Sequence, residues 1–227
     1  MKFRPEVRPF LLASALLGAV VYFLMRTAGQ PNGAALSAGL IVAGVLAAYM
    51  LFFFRDPEMA TPDAPDIVVA AASGKLAKIA EVYEKDYLKT ETVRISIFLS
   101  LFDVHVNRFP IAGQSTFLGY FPGKRLFTFD EKSSDVNQHN AILVEGEGTR
   151  CLIRQIVGPV CRRVVYWPPS DRTVPVKRGE RFGMMKFGSR LDMYFPKGDI
   201  EMTATIGQQV TAGETVIARL LGRTETL

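Results

Sequence analysis

Arg181-Phe182-Gly183-Met184-Met185-Lys186-Phe187-Gly188-Ser189-Arg190-Leu191-Asp192-Met193-Tyr194-Phe195-Pro196 is an apolar, strand-like run broken once, at Gly188-Ser189, after which its alternation resumes. Glycine inside a strand pattern marks a kink or a close backbone approach rather than ordinary pairing. A serine hydroxyl directly after a flexible glycine can reach back to the glycine carbonyl.

Working outward, the chain after residue 57 keeps this texture of short strands separated by turn residues. Thr92-Val-Arg-Ile-Ser-Ile-Phe-Leu99 is the clearest strand, with Val93, Ile95, Ile97 and Leu99 on one face. Ile67 to Ala72, Leu76 to Tyr83, Ala141 to Glu145, Cys151 to Val157 and Val160 to Trp167 read as further strands. No long amphipathic helix is legible there. The expected fold is mainly β, a sandwich or barrel-sandwich over residues 57–227. Near the end, Gly207 to Val210 and Gly213 to Ala218 resemble the hammerhead hairpins of biotinyl and lipoyl carrier domains. Such carriers need a lysine on an exposed hairpin, and none follows Lys197.

Residues 1–56 differ in kind. Lys2, Arg4 and Arg8 precede an uncharged run from Phe10 to Met25, a polar turn holds Gln30-Pro31-Asn32-Gly33, and a second uncharged run spans Ala34 to Phe54. The second run is long enough to cross a bilayer and the first is at the short end. A signal peptide is the rival reading of the first run, but no strong small-x-small cleavage site precedes the second. The expectation is a transmembrane helical hairpin. Basic flanks at the N-terminus and Arg55 would place both ends of the hairpin, and residues 57–227 after it, on the cytoplasmic side of the membrane. Phe52-Phe53-Phe54-Arg55-Asp56-Pro57 ends the hairpin, because proline stops the helix.

The 27 Lys and Arg outnumber the 22 Asp and Glu, the mean hydropathy is +0.16 and 48% of residues are hydrophobic. That balance suits an anionic membrane surface. The positives are scattered without interleaved aromatics, which argues against nucleic acid. Cys151 and Cys161 have no C-x-x-C spacing and no neighbouring histidine, so no metal site is expected, and they read as buried, reduced thiols.

Only two histidines are present. His105 lies in Leu101-Phe-Asp-Val-His-Val-Asn-Arg-Phe-Pro110; if that stretch is extended, Asp103, His105 and Asn107 share one face. A carboxylate two residues from an imidazole can hold its tautomer. His139, in Asn137-Gln138-His139-Asn140, reads as loop decoration. Taken singly, each is an ordinary structural or surface residue.

Together these features resemble the phosphatidylserine decarboxylase proenzymes, in their short bacterial form. The resemblance rests on Phe53-Phe54-Arg55-Asp56-Pro57, Val104-His105-Val106-Asn107-Arg108 with Pro110, Arg162-Arg163, Gly179-Glu180-Arg181-Phe182-Gly183 and, above all, Phe187-Gly188-Ser189-Arg190-Leu191-Asp192. It implies self-cleavage between Gly188 and Ser189, giving a large chain 1–188 and a small chain that begins at residue 189 as a pyruvoyl group. That group would act as the electron sink for turning phosphatidylserine into phosphatidylethanolamine. His105 is the expected proton-transfer group, with Asp103 beside it. Arg190, Arg162 and Arg163 are weaker candidates to meet the substrate phosphate. The implied partners are a membrane phospholipid and the two chains of one precursor, with homo-oligomerisation open.

Two departures from the family pattern stand out. Where the family carries Ala-Asp-Gly, this chain has Ala72-Ser73-Gly74, without the carboxylate that supports self-cleavage; Asp103, then Asp66, are the candidates to replace it. The usual Asn-Glu-Arg-Asn loop is Asn137-Gln138-His139-Asn140, which loses an acid and an arginine. Arg108, where longer relatives have a second histidine, is as in other short forms. The alternative reading is therefore an uncleaved, non-catalytic relative that binds anionic lipid or a membrane partner.

Overall fold

The structure, a computed structural model, describes residues 2–127, 133–159 and 164–222, and divides into units of residues 1–58 and 59–227. In the first unit, β1 (Lys2–Phe3), α1 (Arg8–Thr27), α2 (Asn32–Phe53) and β2 (Arg55–Asp56) form a hairpin whose ends are joined by the antiparallel β1–β2 pair. At 20 and 22 residues the helices run to roughly 30 Å each, and both are long and apolar enough to cross a membrane. They meet at Gly18 and Gly39. A Cβ on either would lie within 2.7 Å of the other's carbonyl oxygen, so only glycine allows this approach.

The second unit begins with β3 (Ile67–Val69), β4 (Gly74–Glu84), β5 (Thr90–Leu99), β6 (Val106–Arg108) and β7 (Gly113–Phe121). A four-residue helix, α3 (Ser133–Val136), precedes β8 (His139–Glu145), β9 (Arg150–Val157), β10 (Val164–Tyr166) and β11 (Val174–Val176). Then come β12 (Arg181–Met185), β13 (Ser189–Pro196), β14 (Ile200–Met202), β15 (Gln209–Val210) and β16 (Val216–Leu220). The mainly β expectation holds, and α3 is the only helix after residue 57 among the described residues.

Eight strands form one sheet in the order β11-β7-β8-β9-β13-β5-β4-β15, and two three-stranded sheets, β10-β12-β6 and β14-β16-β3, share its core. The period-two pattern of β5 turns Ile95, Ile97 and Leu99 inward, where they meet Leu191, Met193 and Phe195 of β13. Val68 of β3, Phe182 and Met185 of β12 and Ile217 of β16 close the core from the smaller sheets. Each such side chain, fully buried, contributes roughly 1.5–3 kcal/mol.

The break at Gly188-Ser189 acquires a structural meaning here. β12 and β13 lie in different sheets, so the residues between them carry the chain from one layer to the other. β13 then runs down the middle of the large sheet, paired with β5 from Ser189 to Pro196 and with β9 from Ser189 to Tyr194. Cys151 is buried in the core, as expected, and burial pushes its thiol up; Cys161 lies outside the described residues.

Candidate active site

Phe187 and Gly188 have φ of +63° and +57°, two successive left-handed residues just before Ser189. For the phenylalanine this costs about 1–2 kcal/mol, while Gly188 adopts it freely, with no atom within 4 Å of where a Cβ would sit. Backbone strain is thus stored at Phe187, one residue from the Gly188–Ser189 bond. Ser189 opens β13 opposite Leu99 on one side and Val157 on the other, and is fully buried. Its Oγ has no hydrogen-bond partner among the described residues. A buried hydroxyl left so costs about 1–3 kcal/mol, and such a group in a native protein calls for an explanation.

His105 is also fully buried and immediately precedes β6. Its Nδ1 lies 3.0 Å from the main-chain oxygen of Asp103. A carbonyl can only accept, so Nδ1 carries the proton and Nε2 of the neutral ring holds the lone pair. The backbone ties this residue to the Ser189 segment at two points. Leu99 pairs with Ser189, and the Met185 amide donates to the His105 carbonyl at 3.2 Å. Residues 100–104 and 186–188 therefore span the same gap between sheets, bracketed by Ser189 and His105.

Asp103 orients His105 through its carbonyl and not, as the extended reading had it, through its carboxylate. The chain is not extended there: Ser100 to Asp103 form a turn closed by Asp103 N–H donating to Ser100 O at 3.1 Å. One carboxylate oxygen accepts from the Ser100 amide at 2.8 Å and hydroxyl at 2.6 Å, the other from Gln209 Nε2 at 2.9 Å. Asp103 pins the turn from which the imidazole is presented.

A chain of buried amides, not evident from the motifs, adjoins these groups. Asn140 Nδ2 donates to Gln155 Oε1 at 3.2 Å, and Gln155 Nε2 donates to Asn107 Oδ1 at 2.7 Å. Gln155 shares the sheet face of Val157, the residue opposite Ser189. It reaches Asn107 over Gly183, where a Cβ would lie 3.1 Å from its Nε2. The Gln155 bond fixes the Asn107 amide, whose Nδ2 has no partner among the described residues. The available signal was Gln155 itself, an uncharged polar residue inside the apolar run of β9.

Arg190 and Asp192 point to the other face of β13. Arg190 Nε lies 3.0 Å from Asp192 Oδ1, and Ser134 Oγ, which also meets Arg190 Nη2, donates to Asp192 Oδ2 at 2.7 Å. Asp192 is fully buried and Arg190 nearly so. The guanidinium expected to meet phosphate is thus engaged in a buried ion pair. Arg190→Met, which leaves Asp192 without that cation, should cost about 3–5 kcal/mol, read as a lower thermal midpoint. Arg190→Met with Asp192→Leu should recover most of it. Arg162 and Arg163 lie outside the described residues.

Ser73 Oγ accepts from the Ala212 amide at 3.0 Å, so the residue in the place of the family aspartate closes a main-chain contact. Arg108 donates from Nη1 to the Gly179 carbonyl at 2.8 Å, and its amide donates to Ala71 O. Asp66 is paired with Arg219 at the protein surface, and that hydrogen bond holds its carboxyl below the usual range. It is not drawn into the Ser189 segment. His139 stacks on Phe121 with ring centroids 5.1 Å apart, its Nδ1 donates to Asn137 O at 2.8 Å, and burial lowers its pKa. It is a half-buried structural residue rather than loop decoration.

Comparison with known proteins shows which family the chain belongs to. The family model described as phosphatidylserine decarboxylase matches residues 46–218. A phosphatidylserine decarboxylase proenzyme of Symbiobacterium thermophilum is 41% identical over 184 residues, covering 80% of this chain and 83% of the relative. That of Syntrophus aciditrophicus is 41% identical over 167 residues, 73% of this chain and 77% of the relative. The proenzyme of Gluconacetobacter diazotrophicus is 37% identical over 220 residues, 95% and 93% of the two chains. With a matched model over most of its length and relatives at this identity, the chain belongs to the phosphatidylserine decarboxylase family, a family of carboxy-lyases.

Proposed function

We propose that this protein decarboxylates phosphatidylserine to phosphatidylethanolamine after cutting its own chain between Gly188 and Ser189. The observation that carries the reading is the buried Ser189 Oγ, without a partner among the described residues, directly after a glycine held at φ +57°. Ser189 Oγ attacks the Gly188 carbonyl carbon, and the amide nitrogen leaves as the free amine, so an ester replaces the peptide bond. A base takes the Ser189 Cα proton. The electron pair forms a Cα–Cβ double bond as the Gly188 carboxylate departs. The resulting dehydroalanine takes up water and loses ammonia, leaving a pyruvoyl group at residue 189.

His105 is the base in this scheme, because its Nδ1–H is engaged by Asp103 O, which puts the basic lone pair of the neutral ring on Nε2. The Asn107 amide, fixed by Gln155, supplies a buried N–H donor beside it for negative charge developing on oxygen. The pyruvoyl group supplies the electron sink that takes up the pair left when carbon dioxide departs. A proton then has to reach the former α carbon, and His105 is the group suited to deliver it.

After the cut, β13 to β16 belong to the small chain yet pair with β5, β9, β4 and β3 of the large one, which holds the two chains together. The N-terminal hairpin keeps the enzyme at the inner membrane, on its cytoplasmic side, where the lipid substrate resides. The ester can be trapped. Hydroxylamine added to freshly made precursor should speed the cut, leaving a hydroxamate on Gly188 and an unmodified serine at the head of the small chain. If it changes neither the rate nor that end group, no ester forms and the scheme is wrong.

A further inference from the structure

The end of the large sheet at which Ser189 sits carries large apolar side chains exposed to solvent. Leu101 and Phe102 are 43% and 70% exposed at the tip of the Ser100–Asp103 turn, which continues β5 beyond Leu99, the partner of Ser189. Phe127 is 60% exposed. It follows Leu126, which is bonded to Asn137, and Asn137 in turn donates to the carbonyl of Val157, the other partner of Ser189. Ile206 is 61% exposed on the turn before β15, which Gln209 fastens to Asp103.

This tip is built rather than loose. Three hydrogen bonds from Ser100 and Gln209 hold the Asp103 carboxylate, and a fourth, main-chain bond closes the turn. Residues with nothing to do seldom combine such fixed backbone with such exposed hydrophobes in one place. Lys75, exposed on β4, reaches towards the Ile206 turn, with its Cε 4.0 Å from where a Gly207 Cβ would lie. An apolar tip with a flanking cation is the chemistry of an anionic bilayer surface, where rings enter the acyl boundary and lysines meet head groups.

We infer that Leu101 and Phe102, with Phe127, Ile206 and Lys75 around them, form a rim that docks the Ser189 end of the sheet onto the bilayer. The inference rests on the reading of Ser189 and His105 as the reaction centre. A lipid whose acyl chains stay in the membrane can bring its amine to a buried centre only if the mouth of that centre meets the membrane. The rim supplies that contact within the catalytic unit, in addition to any anchorage by the hairpin.

The test uses the full chain reconstituted into phosphatidylcholine–phosphatidylserine vesicles with brominated acyl chains. Tryptophan at position 102, introduced as Phe102→Trp, should be quenched about twofold more than Trp167 in the unaltered protein. Leu101→Ser with Phe102→Ser should lower the rate on vesicle phosphatidylserine about tenfold relative to the rate on a short-chain, monomeric phosphatidylserine. An unquenched Phe102→Trp emission would overturn the inference. So would equal losses on both substrates, which would mean the turn merely positions His105. Lipid-independent emission that tracks protein concentration would also overturn it, because a second copy would then cover the rim. Quenching needs no turnover, so a protein that docks without decarboxylating refutes the reaction and leaves the rim standing.

Discussion

Ser189→Ala is expected to leave the chain whole, a single 25.1 kDa species with no detectable decarboxylation. The substitution removes only the hydroxyl. Since Ser189 Oγ has no hydrogen-bond partner among the described residues, stability should be unchanged or slightly raised. Electrophoresis under denaturing conditions separates the outcomes. Cleavage at the same bond in this variant would mean that another group attacks Gly188. Loss of folding would mean that Ser189 has a structural role that its surroundings do not show.

The second large effect is expected at His105. His105→Ala deletes the group proposed for proton transfer, which is ordinarily worth about 10²–10⁴ in rate. Appearance of the two-chain form should slow by that factor, and any two-chain protein that accumulates should turn over more slowly by a similar one. Time courses of cleavage and of carbon dioxide release read the two separately. Normal cleavage with lost turnover would confine His105 to decarboxylation and leave the Ser189 Cα proton to another base. Normal turnover would remove it from the mechanism.

These residues differ in how far they could be read from the sequence. β5 was legible because its apolar residues alternate over a full strand, and only one face can be buried. The pause at Gly188 was visible as a break in pattern, but a kink within one sheet and a crossing between two leave the same trace. Only strand pairing shows that β12 and β13 part company there. Asp103 was misplaced for a local reason. Its carboxylate binds the Ser100 amide and hydroxyl, which favours a turn over the extended geometry that alternation suggests.

The polar interior was the least legible part. Arg190 and Asp192 have the spacing of neighbours on an exposed strand face, yet both are buried, because α3 contributes Ser134 to the pair from 56 residues away. The Asn140–Gln155–Asn107 chain joins three strands from two sheets, and nothing local links those residues. Long-range satisfaction of buried groups depends on tertiary contact, which no window of sequence contains.

The central claim is that Ser189 becomes a pyruvoyl group when the chain is cut, and intact mass of the purified wild-type protein tests it most directly. The account predicts two species that remain associated until denatured. One is the chain 1–188. The other is the chain 189–227, lighter by one ammonia than the unmodified peptide Ser189–Leu227 and blocked to stepwise N-terminal degradation. A 25.1 kDa chain that persists intact under conditions of activity would contradict it.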